Sequence, residues 1–180
     1  YKGGKTMKKI MLILLAVLGS AVFSDTIEIR NGGYFEGQYH TEEDTLKTKF
    51  PAMEVAVEYR KEVINNLEIG GGIAFQYQKR INGNDIDGFN SIPLYATARY
   101  AFFESGKFKS YVKADVGYSY NSGNFDDDIY YGAGLGVQYS KITWDIMYKR
   151  NNSSHNNSEY YKNKFDYDRL SLSSGFIFDF

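Results

Sequence analysis

Beyond residue 24 the chain sets apolar residues at every second position, and no useful stretch repeats them at three and four. Period two marks strands whose faces meet different surroundings, because successive side chains point to opposite sides. Eight such segments can be marked, at 26–39, 52–60, 67–78, 92–103, 108–120, 129–140, 142–150 and 165–180. Pro93 falls early in the fourth, where it removes a ladder donor, so it marks the upper end of that strand or a bulge. The connections alternate in length. HTEEDTLKTKFP, KRINGNDIDGFNS, NSGNFDDD and NNSSHNNSEYYKNK are long, whereas KEVINN, ESGK and the joint at Ser140–Lys141 are short. An antiparallel meander with both termini on one side would place four long loops opposite three tight turns.

Sorting the faces sharpens this picture. One face carries Met53, Val55, Val57 and Tyr59, then Leu67, Ile69, Ile73, Phe75 and Tyr77. It continues through Phe108, Val112, Ala114, Val116 and Tyr118 to Ile129, Tyr131, Leu135, Val137 and Tyr139. The middles of these rows are aliphatic or small and the ends aromatic. Tyr39, Tyr59, Tyr77, Phe102, Phe108, Tyr118, Tyr131, Tyr139, Trp144 and Tyr148 therefore read as two girdles around an apolar belt. Tyr and Trp suit the headgroup level of a bilayer, having apolar rings and polar tips. The opposite face holds Glu28, Arg30, Glu54, Glu58, Glu68, Arg99, Lys113, Asp115, Asp145, Lys149 and Arg169, with Glu36, Arg60, Lys109 and Asp179 beside them. Alternation alone does not distinguish inside from outside, since a soluble ligand-binding barrel turns its apolar face inward. The girdles and the interspersed charge signs put the charged face in the lumen, where opposite charges pair.

The N-terminus changes the picture further. MKKIMLILLAVLGSAVFS, from Met7, has two lysines, an apolar run too short to span a bilayer as a helix, and a small-residue end. It reads as a Sec signal peptide at 7–24 with Asp25 opening the mature barrel domain at 25–180. YKGGKT, at 1–6, reads as a mis-annotated start ahead of Met7. Composition adds exclusions. Acidic and basic residues number 22 and 21, so no nucleic-acid surface is indicated, and the absence of Cys removes disulfides and thiolate chemistry. The mean hydropathy of -0.45 argues against a helical membrane bundle, while strands that are half polar are hidden from that average.

With these residues in hand, the chain resembles the small eight-stranded outer-membrane barrels of the OmpA/OmpX and opacity-protein type. The most specific part is the end, SLSSGFIFDF, where Leu172, Phe176, Phe178 and Phe180 match that family's C-terminal assembly signal. The resemblance implies an all-β, eight-stranded antiparallel up-and-down transmembrane barrel in a Gram-negative outer membrane. It also implies periplasmic termini, insertion by the barrel-assembly machinery, and contact with outer-membrane lipid and lipopolysaccharide. A monomer is expected.

Other constellations are weighed against plainer roles. GAGLG at 132–136 lacks the helix that a dinucleotide loop requires, so its glycines read as room for inward neighbours such as Tyr95 and Tyr111. His40 and His155 fall in expected outer loops. Ser154–His155 has no evident carboxylate to orient an imidazole, so a lipid A-modifying enzyme is the least favoured reading. Asp85, Asp87, Asp126 and Asp128 read as solvated acidic loop residues. No cofactor, metal or catalytic residue is expected. The leading function is a non-enzymatic barrel that presents four loops for surface interaction, adhesion or envelope structure, to a host or extracellular ligand. The alternative is a narrow porin-like channel. A charge introduced on the lumen face, as in Thr143→Lys, is expected to be milder than one on the belt.

The assembly-signal reading makes a prediction. Deleting Phe180 removes one aromatic contact, about 1.5–3 kcal/mol of burial. The amount of heat-modifiable, membrane-inserted protein in cells should fall by more than that loss accounts for, with unfolded chain accumulating in the periplasm. Normal levels of inserted protein after the deletion contradict the signal.

Overall fold

Alternation of this kind builds a wall. In a computed structural model, which describes residues 25–40, 45–47, 52–77, 90–121, 128–152, 154–156, 162–164 and 166–180, eight long strands form one closed antiparallel barrel. They are β1 (Asp25–His40), β2 (Ala52–Ile64), β3 (Leu67–Tyr77), β4 (Asn90–Ser105), β5 (Phe108–Asn121), β6 (Asp128–Tyr139), β7 (Ile142–Asn151) and β8 (Asp166–Asp179). Each pairs with its chain neighbour, and β8 closes on β1 from Thr26↔Asp179 to His40↔Asp166. The readings of 1–24, and of Asp85, Asp87 and Asp126, concern positions outside the described residues.

Register fixes the shape. Following cross-strand partners from Tyr139 through Ile142, Phe176, Ile29, Val57, Ile73, Leu94 and Tyr118 returns to the starting strand at Ile129, displaced by ten residues. A shift of ten over eight strands tilts them by roughly 40–45° and leaves an interior just wide enough for side chains.

The segments expected from the sequence are all present, with extensions where period two had faded. β2 runs on through Lys61–Ile64, with an irregularity between Glu62 and Ile64. A strand that has left the hydrocarbon needs no apolar face, so pattern no longer marks it. Pro93 interrupts the β3–β4 ladder, whose pairs stop at Ile73↔Leu94 and resume at Gln76↔Ser91. The three short turns use left-handed backbone at Asn66, Gly106 and Ser140, with φ of 69°, 59° and 57°. Such turns match the right-handed twist of the flanking strands.

Three corrections concern the long connections. The stretch expected as a polar loop around His155 contains a paired ribbon, Ser154–Asn156 against Lys162–Lys164. The first long connection contributes Thr45–Lys47, paired to the top of β1. His40 lies at the end of β1 rather than in a loop. A bulge between Tyr34 and Glu36 also shifts the inward parity of β1, so that Tyr34 and Gly37 are both buried. Period two therefore fails as a guide beyond Tyr34. The side chains of Glu36, Tyr39, His40 and His155 lie outside the described residues.

The faces fall as the sequence reading expected. Val116 is 60 % exposed and Leu135 55 %, whereas Glu28 and Glu58 are each 1 % exposed. Among the described girdle residues Tyr77, Phe102, Phe108, Tyr118, Tyr131, Tyr139, Trp144 and Tyr148 are exposed, and Tyr59 is half-buried. The barrel is inverted relative to a soluble protein: its polar side chains form the core and its apolar ones the surface.

That inversion can be tested. Val116→Arg or Leu135→Arg should each cost about 2–4 kcal/mol of folding stability in lipid vesicles, measured by urea titration of tryptophan fluorescence. Neither substitution has a buried partner to disturb. A cost near zero at both positions would mean that this surface does not meet hydrocarbon.

Candidate functional site: the charged lumen

An inward-facing residue in a barrel this narrow must pack against strands from the far wall. The sequence supplies six cations there, Arg30, Arg60, Arg99, Lys113, Lys149 and Arg169, and six carboxylates, Glu28, Glu54, Glu58, Glu68, Asp115 and Asp145. All are buried except Glu68, which is partly open towards the end of the barrel that carries the short turns. An isolated ion in such an interior costs several kcal/mol, so charges of both signs must meet.

They meet in a branched network. Arg30 donates from Nη1 to Glu58 Oε1 at 3.0 Å and from Nη2 to Asp145 Oδ2 at 2.5 Å, with a further bond to Ser173 Oγ at 2.7 Å. Arg60 bridges three carboxylates: Glu58 at 2.8 Å, Glu68 at 2.8 Å and Glu28 at 2.6 Å. Lys113 Nζ reaches Glu58 Oε1 at 2.5 Å, and Tyr95 donates to the same oxygen at 2.8 Å. Glu58 is thus the hub, collecting two guanidinium groups, an ammonium and a phenol. Thr97 donates to Asp115 at 2.7 Å, and Lys113 lies 3.7 Å from that carboxylate.

A second group lies nearer the end that carries the long connections. Lys149 Nζ donates to Glu54 Oε1 at 2.5 Å, while Tyr34 and Gln76 each donate to Glu54 Oε2 at 2.7 Å. Arg169 departs from the ion-pairing expected of it. Among the described residues no carboxylate lies within salt-bridge distance of its guanidinium. Instead it donates to Asn151 Oδ1 at 2.8 Å and stacks over Tyr34 and Tyr167, at 4.8 Å and 5.2 Å from their ring centres. Aromatic faces attract a guanidinium and exclude water from it. Asn151 passes the connection on to Ser91 and Ser119, at 3.1 Å and 3.0 Å.

Aromatic rings fill the remaining space against glycines. Arg99 covers Tyr111 at 4.1 Å, and the Tyr111 hydroxyl donates to Asp145 at 2.6 Å. A Cβ at Gly136 would fall on the Tyr111 ring, and one at Gly72 would lie 2.7 Å from Tyr95 Cζ. Of the glycines at 132, 134 and 136, only Gly136 has a Tyr ring against its Cβ position; Gly132 and Gly134 make room for Lys149 and Met147, and Tyr95 sits over Gly72. Thr143, expected to tolerate a lysine, is fully buried and donates to Glu28. A longer side chain there must displace that carboxylate, so the expected mildness does not survive. Tyr34, Gln76, Tyr130, Met147, Asn151 and Tyr167 are fully or nearly fully buried lumen residues that the charge pattern did not single out. Inward parity was the available signal, masked because Tyr also populates the girdles.

The terminal strand is placed as the alternation indicated. Leu172, Phe176, Phe178 and Phe180 all lie on the outer wall, with Phe180 78 % exposed. The Phe180 backbone N–H donates to Asp25 O at 3.1 Å, so the last residue joins the first strand.

A closed eight-stranded barrel with a paired ionic core and an exposed apolar belt between aromatic girdles defines an outer-membrane β-barrel. Comparison with solved structures gives the same fold. Neisserial surface protein A aligns with a TM-score of 0.54 at 16 % identity, over 84 % of this chain and 96 % of that one. The Pseudomonas aeruginosa outer membrane protein OprG aligns at 0.52 and 12 % identity, over 89 % and 98 %. The outer membrane enzyme PagL aligns at 0.52 and 11 % identity, over 83 % and 98 %. In sequence, the chain is 28 % identical to protein PM1543 of Pasteurella multocida (strain Pm70), over 42 % of this chain. That match spans about half, 48 %, of the relative's length. No protein-family model matches.

Pairing in the lumen can be measured by a double-mutant cycle on Glu54 and Lys149. Lys149→Met alone strands a buried carboxylate and should cost about 3–5 kcal/mol. Glu54→Gln with Lys149→Met should cost less than the two single changes together, by about 0.5–3 kcal/mol, in urea titrations of vesicle-inserted protein. Additive losses would instead describe independent, water-exposed charges.

Proposed function

We propose that this chain is a non-enzymatic outer-membrane scaffold that holds its outer loops at the cell surface and does not conduct solutes in bulk. The observation that carries this reading is the cross-linked lumen. Arg30, Arg60 and Lys113 converge on Glu58 from three strands and occupy the cross-section of the barrel. At the periplasmic mouth, next to Glu68, Lys109 and Asp179, the free space is a cavity of about 100 Å³. Displacing the network to open a path would separate buried ion pairs, at several kcal/mol each.

The proposal includes export through a Sec signal peptide, insertion by the barrel-assembly machinery, and contact with lipid and lipopolysaccharide, as the sequence suggests. Loops on a rigid scaffold can vary without disturbing the fold, which suits recognition of a host or extracellular ligand. The neighbours include a surface protein and an enzyme, so shared fold does not choose between roles. The filled lumen favours display over conduction.

Two measurements test this together. Purified protein in planar bilayers should give no sustained current steps, whereas steady ohmic conductance overturns the closed-lumen reading. Protease added to intact cells should release peptides cut only within 41–51, 78–89, 122–127 and 152–165. Cuts at the turns around Asn66, Gly106 or Ser140 would reverse the topology.

A further inference from the structure

The belt is interrupted at one place. Outward positions along β1 read Ile27, Ile29, Asn31, Gly33, and along β8 they read Leu170, Leu172, Ser174, Phe176, Phe178. Asn31 and Ser174 are direct partners across the closure, and Ser174 Oγ donates to Asn31 Oδ1 at 2.7 Å on the exposed face. Elsewhere the described outward positions between the girdles are apolar, apart from Ser110 beside the β4–β5 bulge at the lower girdle. The pair sits in a groove of about 590 Å³ walled by Ile29, Val55, Ile142 and Phe176.

Asn31 stands six positions above Asp25, roughly 15 Å up the tilted wall from the periplasmic end. Its Oδ1 is satisfied by Ser174, but among the described residues its amide nitrogen, with two N–H donors, finds no partner. In hydrocarbon an unsatisfied donor costs several kcal/mol, and no water reaches that depth. Lipid does not repair this. Ester carbonyls lie at the headgroup level, and Ile27, the partner of girdle residue Tyr59, is roughly 10 Å below Asn31 along the tilted strand. At the height of Asn31 an acyl chain offers only methylenes.

We propose that the β8–β1–β2 wall is a self-association surface on which a second copy of this chain meets the first, Asn31 against Asn31. A two-fold axis along the membrane normal brings identical residues together at identical depth. A carboxamide carries donors and an acceptor, so two of them satisfy each other reciprocally. Small outward residues at Gly33 and Ser174 recess the wall, allowing close approach, as small residues do at membrane interfaces generally. The occupant is a second copy because its amide supplies an acceptor at this depth. The proposal departs from the monomer expected from the sequence.

The chain has no Cys, so single reporters are clean. Val55→Cys lies beside Asn31 on β2, and Val116→Cys on β5 is the far-wall control. In phospholipid vesicles a short bismaleimide should cross-link the Val55→Cys protein into dimers and leave the Val116→Cys protein monomeric. Adding Asn31→Leu to Val55→Cys should lower the dimer yield roughly threefold to tenfold, the range expected for one interhelical-type polar contact in lipid. Asn31→Gln, which keeps an amide, should retain most of it. Heat-modifiability on gels confirms that each variant is folded. Equal cross-linking at both walls, yield unchanged by Asn31→Leu, or monomers with retained phospholipid by native mass spectrometry would overturn the proposal.

Discussion

Every backbone N–H and C=O that enters hydrocarbon must be paired within the protein, and closure of β8 on β1 is what satisfies the last of them. Fourteen residue pairs join these two strands, from Thr26↔Asp179 to His40↔Asp166. The alternation, the girdles and the loop lengths serve that closed cylinder. Without closure, β1 and β8 would each present an open edge to lipid. The terminal Phe180 belongs to the same constraint, since its backbone bonds to Asp25 at the seam.

Closure at eight strands with a shift of ten sets the interior, and the interior then selects its occupants. An apolar filling would have been cheaper in desolvation, because buried ion pairs seldom gain over hydrophobic replacements. The interior nevertheless carries charges of both signs, joined through Glu58, Glu28 and Glu54. A chain that alternates, with most of its large apolar residues committed to lipid, has mainly polar side chains left for the lumen. This also keeps each strand too polar to be taken for a transmembrane helix. What the polar core contributes is geometry: bonds such as Arg30 to Asp145 tie β1 to β7 across the barrel. A scaffold braced in this way can carry long outer connections whose sequences are free to change.

The seam also explains why a polar pair tells more here than it would on a soluble surface. On a water-facing strand Asn31 and Ser174 would be unremarked, since both side chains could bond to solvent. Placed between Ile29 and Gly33 on one strand and between Leu172 and Phe176 on the other, they face a medium with nothing to offer. The same two residues thus change meaning with the surroundings that closure creates.

Period two, the aromatic ends of each row and the alternating connection lengths were enough to place eight strands, their faces and the outward Phe180. These are one-dimensional consequences of a strand crossing a bilayer, so they are written in one dimension. The pairings were not. Glu58 lies 28 residues from Arg30 and 55 from Lys113, and Lys149 lies 95 from Glu54. Which cation meets which carboxylate depends on register and shear, which no single strand encodes. The bulge after Tyr34 shows the same limit, because one extra residue shifts inward parity without leaving a mark in the apolar pattern. The stacking of Arg169 over Tyr34 and the fit of Tyr111 over Gly136 likewise arose only when distant strands were brought face to face. The sequence by itself determined which residues meet lipid and which do not, because that choice is made at every second residue. The tertiary structure alone decided who meets whom inside, because those contacts cross the barrel.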